Sequence, residues 1–274
     1  MHVYFNGQIM PAAEVSISMD DRGFLFADAL YEVVHVYRGR LFAWDYHMDR
    51  LSQGLAALVY PTVDLSALKA AADALSEEAE SSEASVYIQI SRGVQPRSHL
   101  FPPKSTAPTV LLWVRPLQPM AQALVDQGVE VITTPDDRWA KVWIKTVGLL
   151  PNVMAKQKAH EQGAFDAIFV RDGMVTESTS ANVFIVKNGR LWTAPATNYI
   201  LPGVTRRVVL ELALESGLQV IQRPFEESEM AAADEVFLTG TLIEILPVRA
   251  VNGKPIAGVG PISHQLLEGL RRRT

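Results

Sequence analysis

One lysine and one glutamate of this sequence have surroundings that suit covalent carbonyl chemistry. Lys145 lies in the apolar, partly β-branched stretch Trp143-Ile144-Lys145-Thr146-Val147. Such surroundings disfavour the charged ammonium, and the free amine can attack a carbonyl to form a Schiff base. Pyridoxal 5'-phosphate (PLP) chemistry needs that step, together with an Asp or Glu beside the pyridine nitrogen. Glu177, in Thr176-Glu177-Ser178-Thr179-Ser180, could supply the carboxylate.

Each of these two signals also has an ordinary structural explanation. Most lysines in strands lie at the surface of a protein. Clusters of Ser and Thr around an acidic residue are common in turns and helix caps. Taken singly, each signal favours the structural explanation, so the functional interpretation depends on further residues.

Three other segments could bind anions. The stretch Leu201-Pro202-Gly203-Val204-Thr205 opens a predicted helix, whose free N–H groups and positive dipole end attract phosphate. Thr239-Gly240-Thr241 offers hydroxyls and a close backbone approach. Arg97-Ser98-His99 could present a guanidinium and an imidazole to one carboxylate. Taken singly, the first two segments favour ordinary capping, and the third slightly favours a basic surface loop.

Composition excludes several classes of protein. The chain has 274 residues, 48% of them apolar and 20% charged, as in ordinary globular proteins. A net charge of −5 argues against a broad nucleic-acid surface. With no cysteine, there is no disulfide framework or zinc–cysteine site, and the six histidines lack zinc-ligand spacing. We find no signal-peptide pattern and no apolar run of membrane-spanning length, so we expect a cytoplasmic protein with neither a membrane nor a nucleic-acid partner.

The order of predicted elements favours an α+β fold. Trp44, Met48, Leu51, Leu55 and Leu58 form one apolar helical stripe, with Arg50 off it. Pro116 and Pro119 mark a boundary, which predicts a smaller N-terminal domain over 1–119 and a larger C-terminal domain over 120–274. Predicted helices cover 44–58, 65–80, 152–162, 205–215 and 262–272, and predicted strands cover 3–5, 31–37, 86–90, 109–114, 128–133, 167–171, 182–187 and 236–241. A long polar loop, 92–108, joins two of the strands, and such loops are often functional.

These segments together resemble the fold type IV PLP-dependent enzymes, or class IV aminotransferases, and within them the D-amino acid aminotransferases. The likeness covers essentially the whole chain, and the order and spacing of its motifs make it specific. The stretches that carry it are Tyr31-Glu32-Val33, 91–99, Ile144-Lys145-Thr146, 149–153, Thr176-Glu177-Ser178, 201–206 and Thr239-Gly240-Thr241.

The resemblance implies a two-domain fold with the site at the domain interface and a role for each matched residue. Lys145 would bind PLP as a Schiff base and shuttle the proton, while Glu177 would keep the pyridine nitrogen protonated. The other implied PLP contacts are Arg50, Ser180, Leu201, Val204, Thr205 and Thr241. The substrate carboxylate would be bound by Tyr31, Arg97 and His99, the trio that decides substrate handedness. No metal is implied.

The implied activity is transamination between D-amino acids such as D-alanine or D-glutamate and 2-oxo acids such as 2-oxoglutarate or pyruvate, by a homodimer. Alternatives within the fold are a branched-chain L-amino acid aminotransferase, an (R)-amine transaminase and an aminodeoxychorismate lyase. A PLP-binding protein without turnover, or a non-catalytic scaffold of the same fold, is the alternative from another class. Two positions depart from the family pattern: Trp143 replaces a frequent Asp, and Ala181 replaces a frequent Ser.

Overall fold

The structure, a computed structural model, describes residues 1–274 and divides into two compact units. The first unit comprises Met1–Gln118 and the short segment Ile144–Gly148, and the second comprises Pro119–Trp143 and Leu149–Thr274. This division places Lys145 in the first unit, whereas the sequence predicted it within the C-terminal domain. The reason is pairing with a distant strand: the amide of Tyr31 donates to the Lys145 carbonyl at 3.0 Å, and that of Val147 to the Ala29 carbonyl at 3.1 Å.

A six-stranded antiparallel sheet forms the first unit, in the order β2-β1-β6-β5-β3-β4. Its strands are β1 His2–Phe5, β2 Gln8–Pro11, β3 Ala29–Tyr37, β4 Arg40–Leu41, β5 Glu83–Ser91 and β6 Thr109–Pro116. Its helices are α1 Arg22–Phe26, α2 Trp44–Ala57 and α3 Leu65–Glu78. Trp44, Met48, Leu51 and Leu55 of the predicted stripe are buried, whereas Leu58, its fifth member, follows the end of α2 and is half-buried.

Gly54 lets α2 approach the sheet closely. A Cβ at this position would lie 2.5 Å from Leu30 Cδ2 on β3, too close for two carbon atoms. The glycine therefore brings the helix near enough for polar side chains of α2 to reach the buried face of β3. This contact matters because Arg50 lies on α2 and Glu32 on β3.

The second unit is built around a closed, mixed β-barrel. Strands follow the order β10-β13-β14-β7-β8-β9, and the pairing of β9 with β10 closes the ring. Its strands are β7 Val129–Pro135, β8 Asp166–Arg171, β9 Met174–Ser178, β10 Asn182–Lys187, β11 Arg190–Thr193, β12 Val220–Gln222, β13 Glu235–Gly240, β14 Glu244–Val251 and β15 Lys254–Pro255. Its helices are α4 Gln122–Gln127, α5 Leu150–Glu161, α6 Val204–Glu215, α7 Glu227–Ala231 and α8 Pro261–Arg272. Helix α5 packs on β7 and β8, and α6 and α8 pack on β13.

The elements confirm the predicted α+β class, since hairpins and helices alternate without a doubly wound parallel sheet. Most predicted elements agree with the structure to within a few residues. Three short helices, α1, α4 and α7, were not predicted, because one or two turns carry too little periodicity to reveal a helix. No helix combines the length and apolar composition that crossing a membrane requires.

Candidate active site

Lys145 lies beside Tyr31 in the first unit. Its Nζ sits 4.2 Å from the centroid of the Tyr31 ring, and the lysine is half-buried. An isolated bridge between Leu30 and Thr146 holds the lysine segment along the start of β3. The Tyr31 ring in turn stacks on Tyr87 at 5.7 Å, and Tyr87 on Trp113 at 4.1 Å. Two of the predicted site residues, Lys145 and Tyr31, are therefore in contact, and Tyr31 belongs to a stack of three aromatic rings.

Arg50 forms a bidentate ion pair with Glu32 behind this segment. Its Nε and Nη2 donate to the two carboxylate oxygens, each at 2.8 Å, and His47 Nδ1 lies 2.8 Å from Glu32 Oε2. Glu32 is fully buried, and Arg50 is only 9% exposed. Glu32 was part of a matched stretch, but its role as the partner of Arg50 was not predicted. The pair fixes the direction of the Arg50 guanidinium.

The pKa of Glu32 reflects this environment. Burial alone raises the pKa of a carboxyl group, but the charge and hydrogen bonds of Arg50 outweigh burial, and the pKa of Glu32 falls far below its ordinary 4.5. Burial also lowers the pKa of His47 from its ordinary 6.5. His47 is therefore neutral and donates from Nδ1 to a carboxylate that can only accept.

We expect the protein to lose stability in acid because of these groups. Both pKa values are lower in the folded state, so the unfolded state binds more protons, and stability falls as the pH drops below 6.5 and further below 4.5. The Glu32→Gln substitution leaves Arg50 buried without its carboxylate and should cost about 3–5 kcal/mol at pH 7. Urea unfolding followed between pH 3 and 8 measures both effects.

A matched control for this prediction is the exposed pair of Lys69 and Asp73, 2.8 Å apart on α3. Asp73→Asn should leave the unfolding midpoint unchanged, because exposed ion pairs contribute little. An acid unfolding curve of Glu32→Gln that superimposes on that of the wild type would contradict the assignment.

Arg97 and His99 converge on one aromatic ring. The Arg97 guanidinium lies 5.2 Å from the Phe26 centroid, and the His99 ring lies 5.5 Å from it. Both side chains are exposed, and Phe26 ends helix α1. Two residues predicted to bind one carboxylate are therefore neighbours, while Tyr31, the third of that trio, contacts Lys145.

Glu177 lies at the end of β9 in the second unit, and both carboxylate oxygens are engaged. Oε1 accepts from Arg138 Nη1 at 2.7 Å, and Oε2 accepts from the Leu201 amide at 2.9 Å and from Asn182 Nδ2 at 3.1 Å. Only 5% of Glu177 is exposed. Glu177 and Leu201, both predicted to contact PLP, are thus in direct contact. Three donors therefore converge on the Glu177 carboxylate.

Arg138 and its partner Asp136 are site residues that sequence reasoning missed. Arg138 Nε and Nη2 donate to the two oxygens of Asp136 at 2.9 Å each, and Thr176 Oγ1 donates to Asp136 Oδ2 at 2.8 Å. Burial alone would raise the pKa of Asp136, but Arg138 outweighs it and holds the pKa below 3.8. The only signal was a pair of charged residues just after β7, which is common in surface turns.

Asn182 links Glu177 to the start of helix α6. Its Nδ2 also donates to the Leu201 carbonyl at 2.9 Å. At Gly203, the N-cap of α6, a Cβ would lie 2.0 Å from Asn182 Oδ1, so only glycine fits there. The predicted residues Val204 and Thr205 are the first two of this helix, and no side chain caps its free N–H groups. An anion suits that position.

The C-terminal end of β13 carries further polar residues. Thr239 pairs in register with Asn182, so their side chains share a face of the barrel sheet. Thr239 Oγ1 is buried without a hydrogen-bond partner. Thr241 follows the strand, and the carbonyl of the exposed Ser180 lies against Gly240.

Each unit, taken by itself, contains groups that suit PLP. The first unit has the Lys145 amine and the Arg50 guanidinium. The second has the Glu177 carboxylate, a helix start at Val204 without a side-chain cap, and the unpaired hydroxyl of Thr239. An unsatisfied buried hydroxyl is uncommon, and Thr239 Oγ1 is able to donate to a bound group.

The two departures from the pattern leave these groups in place. Ala181 is buried, and its amide donates to Ser178 Oγ at 3.0 Å. Trp143 is half-buried. Neither position removes a donor, an acceptor or a charge from the contacts described above.

Comparison with known proteins gives consistent matches along the chain. The family model described as amino-transferase class IV matches residues 29–251. A D-alanine aminotransferase of Bacillus licheniformis is 39% identical over 95% of this chain and 92% of that protein. A protein of the same name from Listeria innocua is 38% identical over 97% and 93%, respectively.

Solved structures show the same fold. The branched-chain amino acid aminotransferase of Escherichia coli superimposes with a TM-score of 0.90, at 23% identity over 99% of this chain and 93% of that one. A hypothetical aminotransferase from Mycobacterium tuberculosis, solved in a PLP-bound form, gives a TM-score of 0.87 at 24% identity, covering 100% and 98%. At these identities the likeness establishes the fold and leaves substrate choice to other observations.

Proposed function

The chain belongs to the class IV aminotransferases, and from that premise we propose that it transfers amino groups between D-amino acids and 2-oxo acids with PLP as cofactor. The observation that carries D-specificity is the pair of Arg97 and His99 on one ring, within a chain 39% identical to a D-alanine aminotransferase. D-Alanine and D-glutamate are the proposed donors, and pyruvate and 2-oxoglutarate the proposed acceptors.

The site residues divide the work of holding the cofactor. The Lys145 amine would bind its carbonyl carbon, and Glu177 would accept a hydrogen bond from its pyridine nitrogen. Arg50, Thr205, the Val204 amide and Thr241 would bind its phosphate, Ser180 would add a polar contact, and Leu201 would pack on the ring. Bound PLP supplies an electron sink that stabilises negative charge at the substrate Cα.

Proton transfer and stereochemistry follow from two groups. The Lys145 Nζ would act as the base that takes the proton from the substrate Cα. Tyr31, Arg97 and His99 bind the α-carboxylate, and binding it on that side turns the Cα–H of a D-amino acid toward Lys145. For an L-amino acid, the same carboxylate contacts would turn the hydrogen away from the amine.

A panel of half-reactions tests this function. The purified protein with PLP is mixed with D-alanine, D-glutamate, L-alanine, L-leucine and an (R)-amine, and the cofactor absorption band is followed. We expect rapid spectral change with the D-amino acids alone. A change with L-leucine would favour the branched-chain alternative, and the absence of any PLP band would refute the cofactor assignment.

Arg97→Ala should raise KM for D-alanine and for 2-oxoglutarate together, about 10- to 100-fold, because both substrates carry the carboxylate. Steady-state kinetics measures this effect. Arg115→Ala is the matched control, since Arg115 is also exposed and lies over an aromatic ring, Trp113, at 5.5 Å. Unchanged KM values in Arg97→Ala would mean that the carboxylate is bound elsewhere.

We also propose that the active form is a cytoplasmic homodimer. Three large apolar side chains are strongly exposed, one on α1 and two in the 92–108 loop: Phe24 at 76%, Leu100 at 78% and Phe101 at 58%. Large exposed apolar side chains favour a protein–protein contact. Light scattering should give twice the chain mass of 30.2 kDa.

A further inference from the structure

We propose that Arg22 positions the substrate-binding loop by holding its backbone on both sides of His99, and so sets the affinity for the substrate carboxylate. Arg22 Nη1 donates to the Ser98 carbonyl at 2.7 Å and to the Leu100 carbonyl at 3.2 Å. These two carbonyls flank His99, and Ser98 also adjoins Arg97. The inference rests on the proposed carboxylate role of Arg97 and His99, and it assigns their alignment to a third residue.

Arg22 is itself held rigidly. Only 4% of it is exposed, and its Nε donates to Asp28 Oδ2 at 2.9 Å. Arg92 Nε donates to the same oxygen at 2.7 Å, and the Tyr60 hydroxyl donates to the Asp28 carbonyl at 2.7 Å. Burial raises the pKa of Asp28, but the two arginines outweigh it and keep the pKa below 3.8, so the carboxylate stays charged at neutral pH. A planar guanidinium spreads its donors over three nitrogens, so Nε reaches the carboxylate while Nη1 reaches the two carbonyls, whereas an ammonium has all its donors on one atom.

Helix α1 also contacts the side chains of the loop. The Arg22 guanidinium lies 4.9 Å from the Phe26 centroid, the ring that Arg97 and His99 contact from the loop. Arg22 therefore binds the loop backbone and also contacts the ring on which the two loop side chains rest. The backbone and side-chain positions of this segment are set from one helix.

The ends of the same loop are tied to α1 as well. Asp21, the N-cap of α1, accepts from Ser91 Oγ at 2.8 Å and from Thr109 Oγ1 at 2.7 Å. Ser91 ends β5 and Thr109 begins β6, so Asp21 holds the two points where the loop leaves and rejoins the sheet. Arg22, the next residue, binds the middle of the loop by donating to the Ser98 and Leu100 carbonyls. A long loop ordered before the substrate arrives loses less conformational entropy on binding.

Arg22→Lys tests the proposal, because lysine keeps a positive charge beside Asp28 but lacks the guanidinium that donates to the two loop carbonyls. We expect KM for D-alanine and 2-oxoglutarate to rise together, about tenfold, with kcat and the PLP dissociation constant close to those of the wild type. Hydrogen–deuterium exchange of the peptide spanning 94–102 should accelerate. Tyr60→Phe is the matched control, since it removes a hydrogen bond from the Asp28 cluster and leaves the loop contacts of Arg22 in place.

The outcomes separate this inference from the proposed function, with Arg97→Ala measured alongside. A raised KM and faster loop exchange in Arg22→Lys, with neither change in Tyr60→Phe, support the inference. Unchanged loop exchange overturns it, as does faster exchange with an unchanged KM or a fall in kcat alone. Equal KM changes in Arg22→Lys and Tyr60→Phe would also overturn it, because they would trace to stability. If Arg97→Ala keeps its KM, the carboxylate assignment itself fails.

Discussion

We expect the Lys145→Ala protein to transaminate D-alanine more slowly by a factor on the order of 10⁴. The substitution removes the only amine proposed to bind the cofactor carbonyl and to take the Cα proton. The Tyr31 ring, 4.2 Å from Nζ in the wild type, cannot replace it as a base. Folding should be unaffected, because the backbone bonds of this segment to Tyr31 and Ala29 do not involve the side chain.

Two measurements check this expectation. Single-turnover kinetics gives the loss of rate, and mass spectrometry after borohydride treatment shows whether PLP is retained covalently. The matched control is Lys141→Ala, an exposed lysine four positions earlier, which should keep wild-type rates and covalent retention. Wild-type turnover by Lys145→Ala would refute the role of Lys145.

Glu177→Gln should have the second largest effect and lower kcat by about 10²- to 10³-fold. Glutamine is neutral and cannot favour a proton on the pyridine nitrogen, so the ring withdraws electrons less strongly. The amide also breaks the 2.7 Å ion pair with Arg138, which keeps Asp136 as its remaining carboxylate partner. We therefore expect a weaker affinity for PLP together with the loss of rate.

A pH titration of the cofactor absorption separates the chemical effect from the structural one. The spectrum of Glu177→Gln should report an unprotonated pyridine nitrogen at a lower pH than that of the wild type. Glu161→Gln, at an exposed glutamate that ends α5, is the control and should change neither spectrum nor rate. A Glu177→Gln protein with wild-type kcat would contradict the proposed electronic role of Glu177.

Local patterns in the sequence predicted the longer helices and about half of the strands, but not β14, an 8-residue strand of the barrel. The stripe on α2 and the predicted helices at 65–80, 152–162, 205–215 and 262–272 depend on residues near one another in the chain. Such signals survive without tertiary context because helix periodicity and turn geometry are local properties. The short helix α1 escaped detection, although its N-cap Asp21 is recognisable once the structure is known.

The candidate site was predicted in part. The positions of Lys145, Glu177 and Arg50 followed from motif order, and the structure adds the partners that hold the last two: Arg138 for Glu177, and Glu32 for Arg50. The structure groups Lys145 with the first unit through pairing with β3, more than a hundred residues earlier. No local pattern reports such a pairing.

The sequence by itself determined the types and order of the reactive groups, the α+β class and the family, since these are properties of residue identity and spacing. Only the tertiary structure decided which partner each buried charge meets. Arg138 pairs with the Glu177 carboxylate, and Arg22 donates to a backbone carbonyl beside His99. Burial makes these pairings important for stability. A buried charge is costly unless it is paired, so each arginine is held by whichever carboxylate or carbonyl the packing of distant segments brings to it.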